Sequence, residues 1–189
     1  MTPPQVRARY MQTFVAAVDA LEPADASAIR ATLGASTLEA IESAGITTWL
    51  DAAANLDATT AVSEQLGAQA REVFFRRLFT LVYDTSLLST FVRGLVRMFG
   101  TDPTGYAKMV ARGYGLIFRG VGHWKLVDRG EQTAVMSLAD LPPAFAQHRY
   151  WPEAAVASLA SVFDLAQRSG TAEIVEHRAS ELVVELHWS

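Results

Sequence analysis

The sequence predicts an α+β protein: a mainly helical region over residues 1–120, then a β-β-α-β-β unit over residues 121–189 with a four-stranded antiparallel sheet. Before Gly120, apolar residues recur every three or four positions, as in helices that pack against a core. After Gly122 they alternate, as in half-buried strands, with one helical stretch between two alternating pairs. Because 50% of the 189 residues are hydrophobic, a single domain with one core is expected.

Glycines and prolines divide the N-terminal region into consecutive helices. The first is predicted from Pro3 to Leu21, with prolines in the first turn, where a missing N–H is harmless. Two short helices follow at about 25–33 and 36–45, and Ser36 and Glu39 have the spacing of a capping box. Further helices are predicted at 61–83, 86–99 and 103–118, with residues 46–60 either a short helix or an irregular link.

The C-terminal unit is predicted from two hairpins and a helix. Alternating residues at 123–127 and 132–137 flank a turn that contains Gly130. A helix then runs to about Ser169 and stops at Gly170. The second hairpin pairs 172–178 with 181–188. One face of its last strand is apolar: Leu182, Val184, Leu186 and Trp188.

Composition excludes several classes of function. The chain has no cysteine, which rules out disulfides, thiolate zinc sites, iron–sulfur clusters and a cysteine nucleophile. No stretch is long and apolar enough to span a membrane, and the N-terminus lacks the apolar core of a signal peptide. A cytoplasmic protein is therefore expected.

The net charge of −4 is unevenly distributed. Residues 71–130 carry ten basic and four acidic side chains, whereas residues 1–70 and 131–189 each carry three basic and eight acidic ones. In one interpretation the basic segment packs between its acidic flanks or forms a solvated face. In the other it forms a surface that binds an anion or an acidic partner. Nucleic acid is not expected, because the chain as a whole is acidic. The candidates for such a surface are Arg93, Arg97, Arg112 and Arg119.

No local motif announces catalysis or metal binding. The chain has no G-x-S-x-G elbow and no pair of histidines four residues apart. The glycines between 113 and 122 precede a strand, whereas those of a phosphate-binding loop follow one. His148 lies in a loop and is a weak candidate, while His177 and His187 are expected to have a structural or surface role. A non-enzyme is predicted, with carboxylates that meet only in space left open.

The order of elements resembles the fold shared by haem-nitric-oxide/oxygen-binding (H-NOX) domains, 4-vinyl-reductase-type domains and TRAPP vesicle-tethering subunits. Over residues 46–189 the chain is also similar to a large paralogous family of myxobacterial proteins. That similarity rests on Trp49, on the segment Ser63-Glu64-Gln65-Leu66-Gly67, and on the stretch from Trp151-Pro152 to Trp188. The resemblance implies a bacterial ligand-binding or signalling domain.

The functional residues of H-NOX domains are not matched here. That family carries a haem-ligating histidine on the helix before the first strand, where this chain has Ala107-Lys108-Met109-Val110. Its Tyr-x-Ser-x-Arg motif is also missing between the second strand and the last long helix. No cofactor is predicted, although His123 could ligate haem if it were shifted.

Three hypotheses follow. The first is a non-catalytic sensor or adaptor that binds a hydrophobic small molecule or a protein partner. Its pocket would lie between helices and sheet and be lined by Tyr106, Tyr114, Phe118 and Trp124, for each of which plain core packing is the alternative. The second is a protein-interaction module without a pocket, with a homodimer left open. The third is a haem-based gas sensor that uses His123.

Overall fold

In the computed structural model of the chain, residues 3–84 and 102–189 are described, with only the backbone at 83 and 84. The helix predicted at 86–99, with Arg93 and Arg97, lies outside these residues. The α+β prediction is confirmed. The elements are β1 (Gln5–Arg7), α1 (Ala8–Asp19), α2 (Pro23–Leu33), α3 (Ala35–Ser43), β2 (Trp49–Asp51), α4 (Ala53–Gln65), α5 (Ala68–Asp84), α6 (Pro103–Ile117), β3 (Phe118–Arg119), β4 (His123–Arg129), β5 (Thr133–Ala139), α7 (Pro143–Ala146), α8 (Trp151–Leu159), α9 (Ser161–Ala166), β6 (Gly170–Arg178) and β7 (Glu181–Trp188).

The chain begins with a strand where a helix was predicted. Residues Gln5–Arg7 form β1, the centre of a small antiparallel sheet in the order β2-β1-β3. Val6 lies opposite Leu50 on one side and Phe118 on the other, and it is fully buried. The first helix therefore starts only at Ala8. This sheet ties the N-terminus to the end of α6.

The helical region differs from the prediction at two junctions. The stretch 61–83, predicted as one helix, is divided between α4 and α5, because the helical conformation is interrupted at Leu66 and Gly67. Of the two alternatives for residues 46–60, a helix is present: this stretch contains most of α4, preceded by β2, which was not predicted. The capping box at Ser36 does not form, since α3 begins one residue earlier, after Gly34, whose φ is +76°.

The predicted four-stranded antiparallel sheet is present, in the order β4-β5-β7-β6. Leu182, Val184 and Leu186 of β7 are fully buried on its core face, as the alternation predicted. The two edge strands are β4 and β6, and each has an irregular register at an exposed valine, Val127 or Val175. Core side chains fill the space between the sheet and the helices.

The helix before the last hairpin is shorter than predicted. It is split into α8 and α9, and Gln167, with a φ of 54°, ends it in a left-handed conformation. Gly170 is the first residue of β6 instead of the helix stop. A Cβ at this position would lie 2.6 Å from His187 O and from the Phe163 ring, so β6 starts in close contact with α9 and β7.

Within the described ranges, no helix is both long enough and apolar enough to cross a membrane.

Candidate functional site

A small interior cavity, the aromatic cavity, lies where the N-terminal helices, α6 and α8 meet the sheet. Its volume is about 30 Å³. Of the predicted pocket residues, Tyr114, Phe118 and Trp124 line it, whereas Tyr106 is fully buried elsewhere in the core. The described lining residues are Tyr10, Asn55, Thr59, Phe75, Phe79, Val110, Tyr114, Phe118, Trp124, Trp151, Ala154, Ala155, Ser158 and Leu159.

A buried polar group organises one side of the aromatic cavity. The Trp151 indole Nε1 donates a hydrogen bond of 2.9 Å to Asn55 Oδ1, across 96 positions of sequence. Asn55 also lies next to the Tyr10 hydroxyl. Burial raises the pKa of Tyr10, and the nearby Asn55 partly opposes that shift. Tyr10 therefore stays neutral, and Asn55 links α1, α4 and α8.

The opposite side of the cavity is held by tyrosine and phenylalanine. The Tyr114 hydroxyl donates to Val121 O at 3.1 Å, which fastens α6 to the start of the sheet. Burial raises the pKa of Tyr114 well above its usual value, and nearby Tyr10 adds to the shift. The Phe118 ring packs 5.0 Å from Tyr114 and 5.3 Å from Tyr10, centroid to centroid. These contacts are those of a packed core.

The size of the aromatic cavity limits what it can hold. A water molecule needs roughly 10–15 Å³ of such space, so about 30 Å³ accommodates about two waters. Sites for cofactors and drug-sized ligands measure roughly 300–1,000 Å³. In this conformation the cavity therefore holds solvent or a molecule of very few atoms.

His148 has a structural role. Its Nδ1 accepts hydrogen bonds from the backbone N–H groups of Trp151, at 3.1 Å, and Tyr150, at 3.3 Å, at the start of α8. Its Nε2 lies 3.1 Å from Thr60 Oγ1, to which it donates, because Nδ1 is an acceptor. Burial lowers the pKa of His148, with Asp57 opposing the shift. A neutral imidazole therefore caps α8 and ties it to α4.

A larger groove, the β6 groove, opens between α5, α8 and the edge of β6 that pairs with no other described strand. It offers about 640 Å³ of space. Its floor is apolar and includes Phe75, Ala154, Ala157 and Ala160 from the two helices. Five consecutive residues of β6, 170–174, form its other wall. Phe75 and Ala154 line the aromatic cavity as well, so among the described residues these two side chains are common to both spaces.

Charged side chains surround the β6 groove. Arg71 pairs with Glu153 at 2.7 Å, and Arg76 grips both carboxylate oxygens of Asp164 at 2.6 and 2.7 Å. These ion pairs join the basic middle segment to the acidic C-terminal flank. They agree with the interpretation in which the basic segment packs between its acidic flanks. Glu72 and Glu173 line the groove and form no ion pair within the described part of the chain.

The predicted anion-binding surface is only partly described. Arg112 is exposed on α6. Arg119 of β3 stacks on the Trp49 ring at 4.0 Å, and Arg7 stacks on the same ring at 3.7 Å. Burial, with Arg119 nearby, lowers the pKa of Arg7. Arg119 therefore packs the small sheet, and an anion-binding role for Arg93, Arg97, Arg112 and Arg119 stays a prediction.

Similarity to known proteins is confined to the fold. No protein-family model matches the chain, and no curated protein sequence does either. Solved H-NOX structures match over nearly their whole length. The Fe(II) unliganded H-NOX protein from K. algicida is 10% identical, with a TM-score of 0.64, over 97% of this chain and 96% of that one. A mutant T. tengcongensis H-NOX is 12% identical, with a TM-score of 0.58, over 97% of each chain.

A third structure, from work on haem distortion in the H-NOX family, is 11% identical, with a TM-score of 0.58, over 97% of this chain and 95% of that one. These matches show that the chain has an H-NOX-like fold. They do not bear on the other families that the sequence resembles.

The described residues do not fit a haem. The sequence has four histidines, and none lines the aromatic cavity. His123 lies at the start of β4, 44% exposed, with its Nδ1 3.2 Å from Asp140 Oδ2, and both nitrogens of His148 are engaged. His177 and His187 are exposed on the last hairpin. Among the described residues no three histidine or carboxylate side chains converge as metal ligands.

Sequence reasoning missed Asn55, Trp151 and the β6 groove. Asn55 is the one asparagine of the chain, inside an alanine-rich helix, and its 2% exposure marks it as a buried polar anchor. Its position in such a helix was a usable signal. No sequence signal indicated the β6 groove, because its walls come from three elements distant in sequence and its floor is largely alanine.

Proposed function

We propose that the protein is a non-catalytic sensor or adaptor domain with an H-NOX-like fold, and that the β6 groove is its binding surface. The observation that carries this proposal is the size and position of the groove. It falls within the volume range of binding sites, has an apolar floor and a charged rim, and runs beside an open sheet edge.

The contrast with the aromatic cavity supports the choice. The cavity is lined by packed rings and by the hydrogen-bonded pair Asn55 and Trp151, and it has room for about two waters. The side chains around it do not form a catalytic set, since the buried tyrosines hold their protons. Partner binding at the surface therefore agrees better with the structure than chemistry in the interior.

Site-specific photo-crosslinking in the source cells tests the proposal. A benzophenone amino acid replaces Thr171, which lines the β6 groove, or Lys125, which is exposed on β4, the other edge strand of the same sheet. We expect a discrete cross-linked product from position 171 that position 125 does not give. The same products from both positions, or none from position 171, would overturn the groove as the binding surface.

A second candidate function is favoured by the wall that the two spaces share. Phe75 and Ala154 separate the aromatic cavity from the β6 groove, and Ser158 donates a hydrogen bond of 3.5 Å to Phe75 O. A small molecule that entered the cavity would press on the groove floor through Phe75. This geometry would connect ligand sensing to partner binding.

Mass spectrometry of protein purified under native conditions tests this second function. A small molecule bound one to one, released on denaturation, is the expected result for a sensor. Protein of unchanged mass, isolated together with a partner, would eliminate the cavity as a ligand site and leave the adaptor function in place.

A further inference from the structure

We infer that the β6 groove binds an extended, basic segment of a protein partner, which adds as a fifth strand to the free edge of β6. This inference rests on the proposed function and specifies the partner and the mode of binding. Strand addition of this kind uses main-chain hydrogen bonds for affinity and alternate side chains for specificity.

The backbone of β6 offers the hydrogen bonds that such a strand needs. Ser189 N–H donates to Ser169 O at 3.1 Å, and the register continues with Thr171 opposite His187 and Glu173 opposite Glu185. Backbone groups of successive residues point alternately to the two edges of a strand. The N–H and C=O groups of Gly170, Ala172 and Ile174 therefore point away from β7, toward the groove.

The open stretch has a defined length. β6 pairs with β7 and with no other described strand. The register shifts between Ile174 and Glu176, where exposed Val175 interrupts the regular ladder. The regular edge thus covers residues 170–174, the same five residues that line the groove. A partner strand of about five residues matches that length.

The groove floor suits one face of an added strand. Side chains directly opposite on paired strands lie on the same face of the sheet, so Ala172 and Ile174 share the core face of Leu186 and Val184. An added strand would lay its alternate side chains on this same face, above Ala154 and Ala157 of α8. Apolar residues in those positions would cover Ile174, which is 40% exposed.

The unpaired acidic side chains along the groove favour a basic partner. Arg71 and Arg76 are neutralised by Glu153 and Asp164, whereas Glu72 and Glu173 have no partner within the described residues. The side chain of Glu173 is exposed on the outer face, opposite Glu185 of β7. Lysine or arginine beside Glu173 is favourable, and a second copy of β6 would place another acidic strand there instead. A basic segment from a different protein therefore fits better than a homodimer.

A short synthetic peptide tests this inference on the full-length protein. The probe is an acetylated, amidated heptapeptide of alternating lysine and valine, followed by the backbone amide signals in NMR and by hydrogen exchange. We expect the Ala172 and Ile174 amides to gain protection, since they would donate to the peptide. The same peptide N-methylated at the amides that face β6 should bind at least about tenfold more weakly, because it loses more than one hydrogen bond.

Two charge reversals at exposed positions provide the matched variants. Glu173→Lys should weaken binding of the lysine–valine peptide by about threefold or more, whereas Glu131→Lys, at the remote β4–β5 turn, should leave it unchanged. A glutamate–valine peptide that binds equally well would overturn the charge preference.

Equal binding of the N-methylated peptide, or binding without protection of Ala172 and Ile174, would overturn strand addition. Self-association through β6 that the peptide cannot displace would also overturn it. The photo-crosslinks from position 171 are independent of strand geometry, so strand addition can fail while the proposed function stands. Their absence, in turn, would remove the proposed function itself.

Discussion

The aromatic cavity and the β6 groove share two described side chains but differ in volume and in how their polar groups are paired. Around the cavity, polar groups find buried partners, as in the Trp151–Asn55 bond and the Tyr114–Val121 bond. Along the groove, the backbone edge of 170–174 and the carboxylates of Glu72 and Glu173 have no partner in the described part of the chain. The polar groups named at the cavity have buried partners and those named at the groove do not, which supports the proposal of binding at the surface.

The largest expected effect comes from breaking the polar anchor of the cavity. Asn55→Leu leaves the buried indole N–H of Trp151 without an acceptor, so the free energy of unfolding should fall by about 3 kcal/mol in urea denaturation. In a Trp151→Phe background, which lacks that donor, the cost of Asn55→Leu should drop by roughly half. Gln65→Leu, which removes an exposed bond to Asp25, should change stability by less than about 0.5 kcal/mol.

If Asn55→Leu lowers the free energy of unfolding equally in both backgrounds, the bond to Trp151 does not organise the cavity. The contrast between paired polar groups at the cavity and unpaired ones at the groove then loses its main support.

A smaller effect is expected at the start of β6. Gly170→Ala places a Cβ 2.6 Å from His187 O and from the Phe163 ring, so it should cost about 2 kcal/mol, measured by thermal unfolding. Gly115→Ala, in α6, meets nothing within 4 Å and should instead stabilise by about 0.5–1 kcal/mol. Equal effects of the two substitutions would contradict the close contact that fixes the groove's end.

A pH dependence of stability, smaller than the two effects above, is expected from His148. Its folded pKa is lowered by burial, while the unfolded value is about 6.5, so the unfolded state binds the proton more readily. The stability it contributes is complete above pH of about 6.5 and is lost as the pH falls through that value toward the folded pKa, because protonated Nδ1 cannot accept from Trp151 N–H.

Urea unfolding at several pH values checks this prediction. His148→Ala should lower stability at pH 8 and flatten its pH dependence, whereas His177→Ala, at an exposed position, should leave both nearly unchanged. A His148→Ala variant with the pH dependence of the unmodified protein would show that another group is responsible.

The smallest effect is expected when haem is added to the protein and its absorption spectrum is recorded. No histidine lines the aromatic cavity, and its volume of about 30 Å³ is far below that of a cofactor site. Adding haem should therefore give the spectrum of haem in buffer, unchanged by His123→Ala. A sharp Soret band that saturates at one haem per chain and disappears in the His123→Ala variant would revive the gas-sensor hypothesis.

Local sequence patterns predicted the β-β-α-β-β unit, but they did not predict the Asn55–Trp151 pair or the β6 groove. The alternation of Leu182, Val184 and Leu186 marks the core face of β7, so the last hairpin could be predicted from the sequence. Its register could not, because β6 alternates less cleanly. Strand β1 could not be predicted from the sequence. Its three residues are too few to show a period, and the strand forms through pairing with β2 and β3. Gly170 was misassigned for a similar reason: helix stop and strand start have the same local signature.

The candidate site depended even more on distant contacts. Of the four aromatic residues proposed for a pocket, Tyr114, Phe118 and Trp124 line the aromatic cavity and Tyr106 does not, and a ligand-binding role for them stays a prediction. The β6 groove joins residue 68 to residue 174, and no motif relates them. Only the three-dimensional arrangement of α5, α8 and β6 creates it.

Amide hydrogen exchange of the protein alone tests the central claim most directly. Thr171 and Glu173 face β7, whereas Ala172 and Ile174 face the β6 groove. We expect slow exchange at 171 and 173 and fast exchange at 172 and 174. Slow exchange at all four residues would show that the edge of β6 is already paired in the free protein and would contradict an open binding groove.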